Sequence, residues 1–384
     1  MAVHSVRLKT TRQLIFRDAI TFLGLTTITA VLFGATLFLF RSFQDHRAEL
    51  AKRWSDRGMA ALRANRPNQA ITCYRTALSY APGKWGYELM LADALAQANK
   101  DEEAYNYFVG LREERPGDGF INLQLARLAA KKRDVEGSIN FYRASIYGDW
   151  EGDGAQRRRE VRLELARFLI EQKQLESAKA ELLVAAGNAP NDPEFDLTLA
   201  RLLEQAAAPS EAMGIFQRVL VHQPHNQIAL DEAGKLAYHR GNYRMALALI
   251  EQVSPEQPGN EERTALLMQT RRILELSPGE ASSTQERVDR ILTDRAIAKT
   301  RWSTCTAQID ISQGPVRALV NRWEGQDATT SRTALLHDSE KRKSALQLIY
   351  DTEIQTNQYC QTPTGDDALL LRLAQSSARE GGSN

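Results

Sequence analysis

Six histidines, three cysteines and 48 carboxylates are the side chains of this 384-residue sequence that could carry acid–base, nucleophilic or metal chemistry. The histidines are His4, His46, His222, His225, His239 and His337. Only His222 and His225 lie close together, flanking Pro224, and they read as solvated turn residues. Cys73, Cys305 and Cys360 lie far apart with no CxxC pair, which excludes zinc-ribbon, thioredoxin-like and c-type haem spacing. No HExxH, Gly-x-x-x-x-Gly-Lys, Gly-x-Ser-x-Gly or strand-linked Gly-x-Gly-x-x-Gly occurs. No catalytic residue, metal ligand or cofactor site is assigned. What does recur is a cation, in the triplet Leu-Ala-Arg at 125–127, 165–167 and 199–201. Arginine forks suit carboxylates and phosphates, so the chemistry on offer is recognition rather than catalysis.

The elements that position these cations emerge from charge and apolar patterning. With 49 basic against 48 acidic residues the formal charge is +1, which gives no bulk reason to expect a nucleic-acid partner. Behind a basic tail (1–18), residues 19–40 carry no charge; Asp18 and Arg41 close the run. Twenty-two residues at ~1.5 Å rise give roughly 33 Å, enough for a ~30 Å hydrocarbon core. The run ends in Leu37-Phe38-Leu39-Phe40-Arg41 with no small-residue cleavage pattern, so an uncleaved anchor is preferred over a signal peptide or a core helix. Four basic residues before the span face five in the matching stretch after it, so the positive-inside rule does not decide orientation. A short basic tail ahead of a long C-terminal domain favours an outward domain. Residues 41–50 contain no Pro or Gly, and the anchor helix is expected to continue directly into the helix that starts at residue 51.

From residue 51 a 34-residue register appears. The unit 51–84 places Trp54, Gly58, Ala70, Tyr74, Ala77 and Pro82 at positions 4, 8, 20, 24, 27 and 32. Unit 85–118 has Leu91, Ala92, Ala104, Phe108 and Pro116; unit 119–152 has Leu125, Ala126, Ser138 and Tyr142. A six-residue insertion within 147–156 shifts the frame. Units 159–192 (Leu165, Ala166, Ala178, Pro190), 193–226 (Leu199, Ala200, Ala212, Phe216, Pro224) and 227–260 (Gly234, Ala246, Pro258) then resume it. The pattern resembles that of the tetratricopeptide-repeat (TPR) family over about 210 residues.

The resemblance implies an all-α, right-handed solenoid of paired helices. Small residues at positions 8 and 20 let the two helices approach, large ones at 4, 7 and 24 fill the space between neighbours, and Pro at 32 ends the second helix. It also implies that position 9 of the first helix faces a concave groove. That position reads Met59, Asp93, Arg127, Arg167, Arg201 and Lys235. The last four form an expected partner-binding line for an acidic peptide, unless they pair with carboxylates such as Glu164, Glu204 or Asp231. The family's chaperone-tail readers carry Lys and Asn at positions 5 and 9; Ser55 and Met59 stand there instead, which argues against that ligand.

Residues 261–373 are expected to form a helical cap or a small partner-binding module, with a capping box at Ser283 and Glu286, helices near 315–323 and 333–360, an apolar cluster at Leu369–Leu371 and Leu373, and a flexible tail over 374–384. Cys305 and Cys360 are either separate thiols or one bridge stapling this region. The sequence thus points to a single-pass scaffold of bacterial inner-membrane type, with the solenoid in the periplasm, binding a protein or peptide, resembling proteins that organise envelope complexes. An enzyme's accessory subunit and a homo-oligomerising tether are the alternatives.

Overall fold

In a computed structural model, helix α1 (Val3–Arg63) is unbroken over 61 residues. The backbone is described for 3–187, 192–279, 282–311, 314–327, 329–360 and 362–381, and side chains within these from residue 14 to 377. Pro190 of the sequence register lies outside the described residues. Continuity of α1 has a local cause: no Pro or Gly occurs between Gly34 and Gly58. The threonines of the apolar run cost little, because the hydroxyls of Thr21, Thr26, Thr27, Thr29 and Thr36 each donate to a carbonyl one turn back at 2.7–2.9 Å. Its large apolar side chains lie open, Phe22 at 69% and Phe38 at 72% exposure. Among the described residues α1 is the one helix long and apolar enough to cross a membrane.

The chain divides into two compact units, residues 1–165 and 166–384. In the first, α1 is followed by α2 (Pro67–Tyr80), α3 (Trp85–Gln97), α4 (Asp101–Glu114), α5 (Gly119–Lys131), α6 (Val135–Ile146) and the start of α7 (Gly154–Glu171). Short turns force neighbours antiparallel. Ala70, Ala92, Ala104 and Ala126 have no exposed surface, which is what lets paired helices touch. At Gly58 a Cβ would stand 2.7 Å from the Tyr74 ring, so only glycine fits there. Ser138 replaces alanine by donating to the Ala126 carbonyl at 2.9 Å. Trp54 is only half-buried and lies under the Arg57 guanidinium at 4.7 Å.

The second unit continues with α8 (Leu175–Gly187), α9 (Pro193–Gln205), α10 (Pro209–His222), α11 (Gln227–His239) and α12 (Tyr243–Ile250). Ala166, Ala178, Ala200, Ala212 and Ala246 are again wholly buried, and a Cβ on Gly234 would meet Ile250 at 2.5 Å. Asp192 caps α9 from the Glu194 amide at 3.0 Å, with Pro193 at the first helical position. The turns inside the hairpins share one device. Asn65, Asn99, Arg133, Lys173, Ala207 and Gly241 all have left-handed φ, and they recur every 34 residues except for 40 between Arg133 and Lys173. The repeat period and its six-residue interruption are thus written in the backbone.

The C-terminal region comprises α13 (Asn260–Leu276), α14 (Thr284–Thr306), α15 (Gly314–Asp327), α16 (Arg332–His337), α17 (Ser339–Tyr359) and α18 (Gly365–Gly381). Ser283 and Glu286 form the expected capping box. Two expectations fail. The single helix over 333–360 is two helices, because the Asp338 carboxylate caps the Glu340 and Lys341 amides and restarts the chain. The tail expected from 374 is helical to Gly381. Ala374 is buried and the Ser376 hydroxyl meets the Tyr243 hydroxyl at 3.2 Å, which carries α18 past Leu373. Arg372 stacks on Tyr238 at 4.7 Å and Arg272 grips Asp366, so α18 covers both the last hairpin and α13.

Candidate partner-binding groove

Of the two readings the sequence left open for these cations, pairing with neighbouring carboxylates is the one seen at Arg127, Arg201 and Lys235. Arg127 forks onto Glu164, with Nε and Nη2 both at 2.7 Å, and the Tyr142 hydroxyl donates to the same carboxylate at 2.9 Å. In the second unit Arg201 grips Glu232 in the same way at 2.6–3.0 Å. Both guanidinium pKa values are raised, chiefly by these hydrogen bonds. Lys235 pairs with Asp231 at 3.0 Å, and Asp231 also accepts from the buried Arg263 at 3.1 Å. For Arg127 and Arg201 the pairing is geometric: position 9 of one repeat meets position 6 of the next, and Asp93 does the same with Gln124. Lys235 turns instead to position 5 of its own repeat. Among the described residues Arg167 has neither kind of partner. Its counterpart is Thr198, whose hydroxyl is turned back to the Glu194 carbonyl, and Arg167 is exposed without an ion-pair or hydrogen-bond partner among the described residues. Glu204 does not bond Arg201; burial raises its pKa.

The first unit has a cavity of about 960 Å³ on the faces of α3, α5 and α7. Its apolar wall is Trp85, Leu89 and Met90 from α3, Phe120 and Leu123 from α5, and Val161 from α7. Arg115 stacks on the Trp85 ring at 3.8 Å. The Trp85 indole N–H is buried and has no acceptor among the described residues. Three arginines (Arg115, Arg127, Arg157) and five carboxylates (Asp118, Asp149, Glu151, Glu160, Glu164) line the cavity. Three minus five leaves a charge of −2. An acidic ligand is disfavoured by that sign.

The six-residue insertion builds one side of this groove. The 147–153 loop is pinned to the start of α5: the Gly119 amide donates to the Asp149 carbonyl at 2.8 Å and the Asp149 amide to the Gly117 carbonyl at 2.7 Å. The Trp150 indole donates to the Ser145 carbonyl at 2.9 Å and lies so close over Gly119 that a Cβ there would fall 2.4 Å from the ring. The loop is therefore a wall held in place by backbone pairing.

Of the sequence-assigned groove residues, only Arg127 lines this cavity; Arg167, Arg201 and Lys235 belong to the second unit. The residues missed were those at positions 1, 2, 3, 5 and 6 of the first helix. Position 5 reads Ser55, Leu89, Leu123, Leu163, Leu197 and Asp231, a row of leucines that was legible at the same period. Elsewhere, Cys305 and Cys360 form a disulfide between the ends of α14 and α17, and Cys73 is a buried free thiol. His222 and His225 are exposed, and among the described residues no cluster of His, Cys, Asp and Glu could hold a metal.

A tetratricopeptide repeat family model matches residues 55–119. No curated protein matches the chain. Among solved structures, it is similar to YrrB, described as a TPR protein with an unusual peptide-binding site, at 17% identity and TM-score 0.39, over 50% of this chain and 96% of that one. PilF of Pseudomonas aeruginosa aligns at 16% identity and TM-score 0.41 over 57% and 99%. The C-terminal part of a TPR repeat-containing protein of Cytophaga hutchinsonii aligns at 15% and 0.47 over 60% and 92%. At these values the likenesses carry no argument about ligands. The matched segment 55–119 spans the second half of one hairpin's first helix through the whole of the next hairpin, the later hairpins repeat its buried alanines and left-handed turns, and the chain carries an array of tetratricopeptide repeats.

Proposed function

We propose that α1 anchors this chain in a membrane as a single span and that the groove on α3, α5 and α7 is a docking site for a protein or peptide partner, in the assembly of an envelope complex. One observation carries the reading: a cavity of about 960 Å³ with an open aromatic and aliphatic wall, a rigid insertion loop beside it, and an indole N–H left without an acceptor among the described residues. A well-placed apolar anchor in such a cavity dominates affinity, and the charged rim sets selectivity. The rim's carboxylate excess fits a ligand with a large apolar side chain flanked by a cationic one. The Cys305–Cys360 disulfide supports an oxidising compartment, hence a bacterial inner-membrane protein with its repeats in the periplasm.

The test is partner retention by the full chain purified in detergent from its own membranes. Leu89→Asp and Phe120→Asp, both on the half-open wall, place a charge where the anchor would sit and should abolish retention of a stoichiometric partner. Asn106→Asp, on an exposed helical position outside the cavity, should leave it unchanged. Equal retention by all three would refute the groove as the docking site.

A further inference from the structure

The first unit contains both the anchor helix and the groove, so the height of the groove above a bilayer can be worked out. Resting on the reading of α1 as a membrane span and of the groove as a docking site, we infer that the groove's ligand is the juxtamembrane segment of another integral membrane protein.

Phe40 is the last residue of the apolar run and marks the end of the span. From Ala35 to Arg57 the helix contains no residue that would hinge it. The Ser55 hydroxyl approaches the Met90 sulfur at 3.6 Å, which puts Met90 level with Ser55, and α3 runs in the direction of α1 because α2 lies antiparallel to α1 and a four-residue turn reverses the chain again. Ser55 lies fifteen residues beyond Phe40, so Met90 stands about 22 Å from the end of the span. Trp85, five residues lower on α3, stands at about 15 Å. The headgroup layer takes up roughly 5–7 Å of this, and a span tilt of about 20°, with α3 about 10 Å to the side of α1, moves the heights by about 3 Å either way.

The turns agree with these heights. Helix α2 returns toward the membrane end of α1, and Arg47 donates to the Ser79 carbonyl at 3.3 Å near its C-terminus. Because neighbours alternate in direction, the turns between repeats lie on the membrane-side edge of this unit and the turns within repeats on the far edge. The groove is bounded on that membrane-side edge by Arg115, Asp118 and the Asp149–Glu151 loop. A chain leaving the headgroups at ~3.3 Å per extended residue reaches the Trp85 end of the cavity within about three to five residues. Its first apolar side chain beyond the interface would meet Trp85, Leu89 and Phe120, one of its carbonyls could accept from the Trp85 indole, and an interfacial Lys or Arg would face the rim carboxylates. The stiff tether adds to the case. A rigid stalk of this length holds the groove at one height, which matters for a partner held in the same bilayer and not for one arriving from solution.

The experiment uses the full chain in native membranes with a photo-crosslinking amino acid at Leu89. A second chain carries eighteen additional helix-forming residues between Gln44 and Asp45. Eighteen residues are five turns, so the groove keeps its facing and rises by about 27 Å. The expected result is a Leu89 adduct whose mapped partner residue lies within about ten residues of a membrane-spanning segment, with the yield falling about tenfold or more in the lifted chain. Equal yield in both chains, or a partner that alkaline carbonate extracts from the membrane, would overturn the inference while leaving the groove as a docking site. No adduct in either chain, when the lifted chain gives the same protease-resistant core, would overturn the groove reading as well.

Discussion

Reducing the Cys305–Cys360 bridge should loosen the C-terminal region and leave the first unit untouched. The bridge closes a loop of 55 residues between the ends of α14 and α17. In the chain-entropy account a loop of that length restricts the unfolded ensemble by roughly 14 cal/mol/K at most, or about 4 kcal/mol at 25 °C. Residual structure in the reduced, unfolded chain brings measured values down, so about 2–4 kcal/mol is the working range. At about 1.4 kcal/mol per tenfold, amides that exchange only when this region opens should exchange roughly 30- to 1,000-fold faster after reduction. Hydrogen exchange read by mass spectrometry, with and without reductant during labelling, measures this directly. The diagnostic amides are those around Val288–Ala298 and Leu348–Thr356, where side chains from α14 and α17 are fully buried. The control amides lie in α3 to α6, which contain no cysteine. A change below threefold in α14 and α17 would refute the reasoning. So would equal acceleration in α3 to α6, since reduction would then be acting on something other than this bridge.

Single residues give three further outcomes. Ala207 is exposed with φ +55°, a conformation that costs an L-residue about 1–2 kcal/mol, so Ala207→Gly should raise the urea midpoint by the equivalent of about 0.5–1 kcal/mol after the entropy of the unfolded glycine is subtracted. Thr198→Glu should complete the missing rung opposite Arg167 and stabilise the array by about 0.3–1 kcal/mol; a double-mutant cycle with Arg167→Ala must erase that gain. Asp294 is fully buried, neither carboxylate oxygen has a partner among the described residues, and burial pushes its pKa up to about 8 despite Arg272 and Arg290, with Asp366 and Glu353 adding to the rise. A carboxyl that holds its proton more tightly folded than unfolded stabilises at low pH and loses that contribution as pH rises from the unfolded value through the folded one, so the C-terminal region's melting temperature should fall between about pH 5 and pH 8 and Asp294→Asn should flatten the slope.

What the sequence revealed, and what it hid, divides along the range of the interactions. The repeat period was legible because it is enforced locally: wherever two helices cross closely, only Gly, Ala or Ser fits, and Gly58, Ala104, Ala178 and Ala212 mark those crossings at a fixed interval. The all-α class comes from the same pattern. The left-handed turns share the period but were illegible, since Asn, Arg, Lys, Ala and Gly all occupy them and the preceding carbonyls rather than the side chain fix the geometry. The pairing of the cations was legible only in part. Glu164 and Asp231 could be named as candidates from the sequence, but Glu232 was not, because the partners of Arg127 and Arg201 stand 37 and 31 residues away at position 6 of the next repeat. Reading positions 6 and 9 as a pair, instead of position 9 alone, would have shown both neutralised rungs and the one left open at Thr198.

The insertion makes the strongest case that register is itself functional information in a repeat array. The six extra residues lengthen the turn before α7 from four residues to seven and extend the start of α7, and they could in principle be an idle spacer, since loop closure costs little for added length. An idle spacer would not be paired along its backbone to the preceding turn, nor would it need a glycine at 119 to clear a tryptophan. Both costs are met here at the edge of the first unit's cavity of about 960 Å³. The inter-repeat turns at 81–84 and 115–118 have four residues and this one has seven, which is what carries Asp149, Trp150 and Glu151 to the groove's edge. The departure from the period therefore identifies the groove more directly than the period does.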